Sequence, residues 1–294
     1  MDISVQHSVS LNDKWKALLD LTKFRVSVAV TLSAFAGYVL FSKSISFDLF
    51  FFSFGLMLII AASSALNHIQ ERKLDVLMPR TSKRPLPSKT LSLTEAISIA
   101  SVLFIGGSVI LFFGFSLQVW VGSLIAAFWY NGIYTPLKRK TPYAIIPGSI
   151  VGAIPPFIGY MAAGGSVFDK PIVILSVFFF VGQIPHFWLL MKKYRVDYQK
   201  AGFPVITEKL SEPQINRMIV IWMAAGIAVG LLVSIMVPFS SVASIIIVAY
   251  CLFFLMVIGK DLIKKVELQF GKNFLLLNMM YLLVMVMIII DFVI

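Results

Sequence analysis

An all-α, polytopic membrane protein with about nine transmembrane helices is the fold that the sequence predicts. Of the 294 residues, 59% are hydrophobic and only 13% are charged, and the mean hydropathy is +0.91. These values lie far outside the range of soluble domains. Apolar runs of bilayer length recur along the whole chain, and basic residues are concentrated in alternate loops. No linker or low-complexity tract divides the chain, so residues 1–294 are predicted to form a single domain.

The predicted spans each contain roughly the 20 apolar residues needed to cross a hydrocarbon core of ~30 Å. In order, they are residues 24–42, 47–66, 93–113, 117–134, 143–163, 171–191, 218–238, 241–259 and 274–293. An odd number of spans predicts that the chain enters on one side of the membrane and ends on the other. The first span is expected to act as its own insertion signal, because residues 1–20 contain three aspartates and no apolar core.

The net charge of +11 is distributed in a way that indicates membrane topology rather than nucleic-acid binding. Of the 25 Lys and Arg, 23 lie at the N-terminal end or in every second loop, whereas the other loops contain only Lys43 and Lys170. Because positive loops face the cytoplasm, the N-terminal segment (residues 1–20) and the loops after the second and sixth spans are predicted to be cytoplasmic. This pattern fits the inner (plasma) membrane of a bacterium better than an organelle.

Three oxygen-bearing side chains, Asn67, Glu71 and Asp75, follow the second predicted span at intervals of four residues. On a helix, each step of four residues turns about 40° beyond a full revolution, so the three side chains share one face. Two carboxylates and one amide form an oxygen-rich site suited to Mg²⁺, a hard cation that usually completes its shell with substrate phosphates. The sequence therefore predicts a Mg²⁺ site at the membrane surface.

Basic residues follow this motif and predict a diphosphate-binding loop. Arg80, Lys83 and Arg84 lie shortly after Asp75, and guanidinium and ammonium groups bind phosphate oxygens. A metal-diphosphate site at a membrane surface implies a substrate with a lipid tail. The alternative is that these charges only set the topology.

A second polar cluster lies at the end of the sixth predicted span. Pro185 is expected to bend the helix, and His186 follows it in an apolar stretch, where a polar side chain is costly unless it faces a cavity or a partner. His186 is therefore either a core histidine hydrogen-bonded across helices or a chamber residue that contacts the acceptor substrate or a carbocation. Asp197 is a candidate second metal ligand. Its alternative role is a surface ion pair with Lys193 or Arg195.

A third cluster combines aromatic and basic side chains near the end of the fourth predicted span. Asn131, Tyr134 and Lys138 are spaced three and four residues apart, which puts them on one helix face. Aromatic and basic residues at a helix end are also typical of the interfacial belt, and that alternative stays open. The next span contains several glycines and the Pro155-Pro156 pair, which favour close helix packing beside a cavity.

Taken together, ordered blocks of residues resemble the UbiA superfamily of intramembrane prenyltransferases over nearly the whole chain. The blocks are Leu21-Thr22-Lys23-Phe24-Arg25-Val26, Asn67-xxx-Glu71-xxx-Asp75-xx-Met78-x-Arg80-Thr81-xx-Arg84-Pro85-Leu86, Tyr134-Thr135-Pro136-Leu137-Lys138-Arg139-Lys140-Thr141-Pro142, Gly152-xx-Pro155-Pro156-xx-Gly159, Gln183-x-Pro185-His186-Phe187 and Asp197-Tyr198-xx-Ala201-Gly202-x-Pro204. Within the superfamily, the chain is most similar to the branch that farnesylates heme, the heme O synthases.

The chain departs from the superfamily pattern at a few positions. The second motif of the superfamily commonly has two aspartates four residues apart, whereas here Lys193 stands four residues before Asp197. The heme branch shares this loss, which leaves the number of Mg²⁺ ions open. At position 71 the side chain is glutamate, which is one methylene longer than aspartate. Phe24 stands where the family usually has proline.

The resemblance implies a mechanism for the first substrate, farnesyl diphosphate. Its head group would bind at the cytoplasmic mouth of a central chamber between the helices, with its tail in an apolar channel. Mg²⁺ held by Asn67, Glu71 and Asp75 would bridge to the diphosphate. The residues expected to bind the diphosphate are Arg80, Lys83, Arg84, Tyr134, Lys138 and Arg139.

For the second substrate, the resemblance implies heme b, whose vinyl group would attack the allylic cation to give heme O for heme-copper oxidase biogenesis. His186 is a candidate axial ligand. Lys23 and Arg25 are candidates to pair with the heme propionates, and the alternative is that they are ordinary topology charges. The predicted catalytic residues are Asn67, Glu71, Asp75, His186 and Asp197. The lipid bilayer is an expected partner, and heme A synthase or oxidase assembly factors are expected to receive the product.

Two other interpretations stay open. Within enzymes, the chain could prenylate an aromatic acid or a quinone precursor, and the block around His186 in place of a regular second aspartate motif argues against that. Outside enzymes, it could be a transporter or an assembly scaffold. A transporter is expected to carry ionisable groups near the bilayer midplane in broken helices, whereas the acidic residues here cluster at predicted cytoplasmic ends.

Overall fold

The computed structural model describes residues 10–263 and 268–294 and confirms the predicted all-α class, with no β-strand in either range. The helices are α1 Leu11–Leu21, α2 Phe24–Ser42, α3 Phe47–Asp75, α4 Leu93–Gly114, α5 Leu117–Phe128, α6 Thr135–Leu137, α7 Ile145–Ala162, α8 Lys170–Lys193, α9 Arg195–Lys200, α10 Glu212–Met236, α11 Ser241–Ile263 and α12 Phe270–Val293. Residues 1–9 of the predicted N-terminal segment and residues 264–267 of the last basic loop lie outside the described residues.

The predicted number of nine spans is approximate. In the described ranges, eight helices are long and apolar enough to cross a membrane, namely α2, α3, α4, α7, α8, α10, α11 and α12. The remaining predicted span, residues 117–134, corresponds to α5 followed by a π-helical segment, Trp129–Tyr134, that runs directly into α6. The chain is therefore a multi-pass membrane protein, and the fourth predicted span is helical but irregular.

Helix α3 is longer than the predicted span of residues 47–66, because it continues through the polar motif to Asp75. Its 29 residues correspond to about 43 Å at the α-helical rise of 1.5 Å per residue. That length exceeds a hydrocarbon core of ~30 Å, so the last turns of α3 can reach the membrane surface while remaining helical. Ser46 caps the other end, where its side chain accepts a hydrogen bond from the Leu49 amide.

Helices α2 and α7 pack with their backbones in close contact. A Cβ atom on Gly159 would overlap the carbonyl oxygen of Ala34, and one on Gly37 would overlap the carbonyl oxygen of Pro156. Two backbones can approach this closely only where small residues face each other. The crossing joins two groups of helices: α3, α4 and α5 lie on one side, and α8, α10, α11 and α12 on the other.

Large apolar side chains are both buried and exposed, as expected for a protein surrounded by lipid. Phe52, Phe178 and Phe254 are fully buried between helices. In contrast, Val102 on α4 and Met256 on α11 are 69% and 66% exposed. Such outward-facing apolar side chains are compatible with lipid rather than water.

The loops after α3 and α8 meet at one end of the bundle. Met78, from the loop after α3, packs against Ala201 and Phe203, which follow α9, to form a small buried cluster with Leu74 and Tyr198. This contact brings together the two loops in which the sequence predicts the polar site residues.

Candidate diphosphate and acceptor site

The polar face of α3 is buried inside the bundle. Asn67, Glu71 and Asp75 are 0%, 4% and 0% exposed, and their spacing of four residues aligns them along one side of the helix, as predicted. A buried carboxylate is strongly destabilising unless an opposite charge or hydrogen bonds compensate it. Glu71 and Asp75 therefore require cations or hydrogen-bond donors close by.

Each of the three side chains has a basic partner. The Nζ atom of Lys138 lies 2.6 Å from Oε1 of Glu71. The guanidinium of Arg84 donates to both carboxylate oxygens of Asp75, at 2.8 and 2.9 Å, and Lys23 donates to Oδ1 of Asn67 at 2.8 Å. The predicted metal ligands and three cations thus form one buried cluster.

Lys23 reaches this cluster because of its position between α1 and α2. Its backbone has φ 46° and ψ 49°, in the left-handed region, which is unfavourable for a residue with a Cβ. The ammonium also donates to the hydroxyl of Tyr130 at 3.2 Å. Burial, and next the positive charge of Arg84, lower the pKa of Lys23 to about 8. Lys23 was predicted to pair with a heme propionate together with Arg25, but Arg25 is exposed on α2 and lies apart from these contacts.

The π-helical segment connects the end of α3 to the third predicted cluster. Asn67 donates from Nδ2 to the hydroxyl of Thr135 at 3.1 Å, Gln70 donates to the carbonyl oxygen of Asn131 at 3.1 Å, and Arg139 donates to the carbonyl oxygen of Gln70 at 2.8 Å. π-Helical turns are rare and frequently occur at functional sites. Here the turn brings the backbone of residues 129–139 against the metal-ligand face.

Aromatic rings line the side of the cluster that faces α8. Tyr130 and Tyr134 stack with their centroids 6.0 Å apart, and the Nζ atom of Lys138 lies 5.4 Å from the Tyr134 centroid. On the other side, Tyr134 contacts Phe187 with a centroid separation of 5.9 Å. Tyr134 therefore stands between the charged cluster and the block around His186.

The remaining predicted diphosphate residues form a rim around the cluster. The Arg80 guanidinium lies 4.6 Å from the ring centroid of Tyr194, a cation–π contact between the loop after α3 and the end of α8. Lys83 is exposed on the same loop. These cations can approach an anion from the open end of the bundle.

His186 lies in α8 one residue after Pro185, and the helix continues through both residues. Its ring centroid is 4.6 Å from that of Phe274 and 5.8 Å from that of Phe187. In the described part of the chain, no group hydrogen-bonds to its buried Nδ1 atom. The cross-helix hydrogen bond that was the alternative for this histidine is therefore not formed at Nδ1.

Asp197 is half-buried on α9. Among the described residues, no three His, Cys, Asp or Glu side chains lie close enough together to hold a metal ion, so Asp197 does not join Glu71 and Asp75 in this structure. The predicted first metal site consists of one amide and two carboxylates. That set of buried oxygen donors fits a hard cation which completes its shell with phosphate oxygens.

Several residues of the cluster were not among the predicted site residues. Tyr130 and Thr135 contact Lys23 and Asn67, but nothing in the sequence distinguishes them from an interfacial belt. His68 is 2% exposed, and neither ring nitrogen has a hydrogen-bond partner in the described residues. A histidine directly after Asn67, where the apolar run of α3 ends, is a signal that could have identified it.

The fold and the buried cluster define a class, an intramembrane helical protein with two carboxylates and an amide paired with cations at one end of the bundle. Residues 29–287 match the UbiA prenyltransferase family. The chain belongs to this family.

Curated relatives and solved structures extend this finding. The protoheme IX farnesyltransferase of Geobacter sulfurreducens is 34% identical over 241 residues, which cover 79% of this chain and 89% of that protein. The protoheme IX farnesyltransferase of Christiangramia forsetii is 40% identical over 185 residues, or 63% of this chain and 61% of that protein.

Among structures, a digeranylgeranylglyceryl phosphate synthase has a TM-score of 0.75 at 18% identity, covering 96% of this chain and 99% of its own. A UbiA homolog from Archaeoglobus fulgidus bound to GPP and Mg²⁺ has a TM-score of 0.66 at 16% identity, covering 92% and 99%. At these identities the structures establish the fold that the chain shares with them.

Proposed function

We propose that the protein transfers the farnesyl group of farnesyl diphosphate to a vinyl group of heme b and so produces heme O for heme-copper oxidases. The observation that carries the proposal is the buried cluster in which Asn67, Glu71 and Asp75 each face a cation. The identity of the acceptor is supported by relatives that are named protoheme IX farnesyltransferases. Family membership favours this enzyme over a transporter or a scaffold.

The cluster suggests how the diphosphate would bind. Asn67, Glu71 and Asp75 would hold Mg²⁺, which when bound neutralises negative charge on the diphosphate and stabilises it as a leaving group. In this structure the oxygen atoms of those three side chains contact Lys23, Lys138 and Arg84 instead. Once their partners bind a metal, the same three cations are free to donate to phosphate oxygens and stabilise the charge that develops there.

The rest of the predicted diphosphate site would act from the rim. Arg80 and Lys83, on the loop after α3, and Arg139, after α6, would neutralise the outer phosphate, and the Tyr134 ring would face the allylic carbon. Aromatic faces stabilise a cation by attraction to the ring quadrupole. Asp197 stays a predicted ligand for a second Mg²⁺.

The transfer itself would break the C1–O bond of farnesyl diphosphate, the π bond of the vinyl group and one O–H bond of water, and it would form one C–C bond and one C–O bond. The C1–O bond of farnesyl diphosphate breaks, and the electron pair leaves with pyrophosphate. The terminal vinyl carbon of heme b then bonds to C1, which leaves a cation on the vinyl carbon next to the pyrrole ring. Water adds to that carbon and releases a proton, so farnesyl diphosphate, heme b and water give heme O and pyrophosphate. A site closed to water would protect the allylic cation from hydrolysis until the heme has reacted.

The location of the protein follows from its charges. We infer that it lies in the bacterial plasma membrane with the loops after α3 and α8 in the cytoplasm, because 23 of the 25 Lys and Arg residues lie at the N-terminal end or in the alternate loops to which these two belong. Farnesyl diphosphate is a charged cytoplasmic metabolite with a lipid tail, and the site would face its supply. Heme A synthase or oxidase assembly factors are the expected recipients of the product.

The test is heme extraction and mass analysis from a host that lacks its own heme O synthase. Wild type, Glu71→Gln and Glu95→Gln would be expressed to equal abundance in the membrane. Glu95 is an exposed carboxylate that caps α4, and glutamine also satisfies a capping box, so it is a matched control. We expect heme O from the wild type and from Glu95→Gln, and a loss on the order of 100-fold or more for Glu71→Gln, because charge stabilisation by a catalytic metal contributes several kcal/mol.

The other outcomes are equally informative. Heme O from Glu71→Gln at the wild-type level would remove Glu71 from the metal site. No heme O from a correctly inserted wild type would reject heme as the acceptor and favour a prenyltransferase of the quinone type.

A further inference from the structure

An aromatic wall runs along α8 from His186 toward the end of the helix. The ring of His186 packs on Phe274 at 4.6 Å between centroids, and Phe274 stacks on Phe270 at 4.9 Å with an interplanar angle of 24°. The Nζ atom of Lys193 then lies 4.2 Å from the centroid of Phe270. Four side chains from α8 and α12 thus form one continuous surface, with an imidazole at one end and an ammonium at the other.

A basic pocket opens where this wall ends. It has a volume of about 220 Å³, and its polar lining consists of Lys192, Lys193, Arg195, Thr207 and Glu212. Three cations against one carboxylate leave the pocket positively charged. The buried hydroxyl of Thr207 has no hydrogen-bond partner within the described residues, so it can donate to an anion that enters.

The pocket is separate from the diphosphate cluster but adjacent to it. The ring of Tyr194 lies between the two, with the Arg80 guanidinium 4.6 Å from its centroid and the Nζ atom of Lys193 5.2 Å from it. Arg80 belongs to the rim of the diphosphate site, whereas Lys193 belongs to the pocket. Two anionic groups could therefore bind side by side without sharing a cation.

We propose that this pocket binds the propionate carboxylates of heme and that the porphyrin lies against the wall formed by His186, Phe274 and Phe270. This inference rests on the proposed function and names how its acceptor is held. A porphyrin is a flat aromatic ring with both carboxylates on one edge, and this site combines aromatic faces with cations at one end. Lys193 lies seven residues after His186, a distance of about 10 Å along a helix, so the ring would extend inward from the pocket.

This orientation directs the other edge of heme toward the reaction. With the propionates at the end of α8, the vinyl groups on the opposite edge would point into the helix bundle, beyond His186. Phe187 and Tyr134 connect that region to the charged cluster. The unpartnered Nδ1 atom of His186 is available to the macrocycle or its side chains. Lys23, which bonds to Asn67, is not needed to hold a propionate.

The test measures binding of zinc protoporphyrin IX by fluorescence, using the purified full-length protein without farnesyl diphosphate. The probe is compared with its dimethyl ester, in which both carboxylates are neutral. The double variant combines Lys193→Gln and Arg195→Gln. The control variant is Lys200→Gln, because Lys200 is exposed on α9 and lies outside the pocket. We expect the double variant to weaken binding of the free acid at least about tenfold, since hydrogen bonds to charged groups are among the stronger ones, while Lys200→Gln has no effect.

Further measurements keep the inference distinct from failed folding and from failure of the proposed function. Glu212→Gln should strengthen binding of the free acid, because the Glu212 carboxylate lies 3.8 Å from Arg195 and competes for it. The ester should bind weakly and equally to all variants. Equal binding of acid and ester, or unchanged binding by the double variant, would overturn the pocket while leaving heme O production by the wild type intact. Absence of porphyrin binding to the wild type would reject both the propionate pocket and heme as the acceptor.

Discussion

At the residue scale, the site is built from charges that are buried in pairs. The carboxylate of Asp75 is 1% exposed and its partner Arg84 is 20% exposed. A buried pair of this kind contributes little net stability, but removal of one partner leaves an uncompensated charge. The ion pairs at α3 therefore stay formed because breaking one would leave a buried charge without a partner. In the proposed function, a metal ion and a diphosphate would together supply the charges that replace these partners.

We expect Arg84→Met to destabilise the protein by about 3–5 kcal/mol, because Asp75 would remain buried without its partner. The double variant Arg84→Met, Asp75→Asn should recover most of that loss, since the buried charge is then gone. Heme O should be absent from both. Stability can be measured by thermal unfolding with a thiol-reactive dye, because Cys251 is the only cysteine in the chain and is fully buried.

Lys73→Met is the control, since Lys73 is exposed on α3. A melting temperature for Arg84→Met equal to that of this control would show that the pair has no structural role. A double variant as unstable as Arg84→Met would mean that the guanidinium acts through packing rather than through its charge.

At the element scale, the crossing of α2 and α7 determines the shape of the bundle. The backbone of Ala34 lies where a Cβ on Gly159 would have to be, and a backbone cannot yield as a side chain can. The π-helical segment Trp129–Tyr134 has a comparable role on the other side of the site. It directs Asn131 and Thr135 toward α3, where they take part in the hydrogen bonds with Gln70 and Asn67.

Gly159→Ala should push α2 and α7 apart. The free energy of unfolding should fall by about 1–3 kcal/mol, as expected for an overpacked core, and the melting temperature should fall with it. The matched control is Gly259→Ala on α11, where a Cβ would meet nothing within 4 Å. That control should be neutral or slightly stabilising, because glycine is a weaker helix former than alanine. Equal melting temperatures for the two variants would show that α2 and α7 do not require the close contact.

At the scale of the whole molecule, the arrangement brings the two polar loops to the same side. The loop after α3 contacts the residues after α9 through Met78 and Phe203, and both loops are rich in basic residues. For both to be cytoplasmic, the irregular segment of residues 117–137 must cross the membrane. The predicted placement of both loops in the cytoplasm therefore depends on residues 117–137, which form an irregular helical segment.

Reporter fusions can test this crossing. A green fluorescent protein fused after Lys200 should fluoresce, and alkaline phosphatase fused after Ile294 should be active, because nine crossings put these positions inside and outside. A fusion after Lys89 is the control, since it precedes residues 117–137 and should fluoresce with either topology. An active phosphatase after Lys200 would mean that residues 117–137 do not cross.

Much of the fold could be predicted because its signals are local. Eight of the predicted spans correspond to helices that are apolar and long enough to cross a membrane. The shared face of Asn67, Glu71 and Asp75 follows from helical periodicity alone. Boundaries were less accurate: α10 begins at Glu212 rather than residue 218, because Ser211 and Gln214 form a capping box and Pro213 fits the first turn. The π-helical segment had no recognisable signal in the sequence.

The amino-acid sequence by itself determined the class of protein, the positions of its helices and the polar residues at their ends, because hydropathy and periodicity depend on near neighbours in the chain. Only the tertiary structure decided which of these residues meet. Lys23 bonds to Asn67 and Tyr130, which are 44 and 107 residues away, and His186 joins Phe274 and Phe270 in one wall that ends at Lys193. Such contacts depend on how closely packed helices cross and rotate against each other, and no local pattern encodes that geometry.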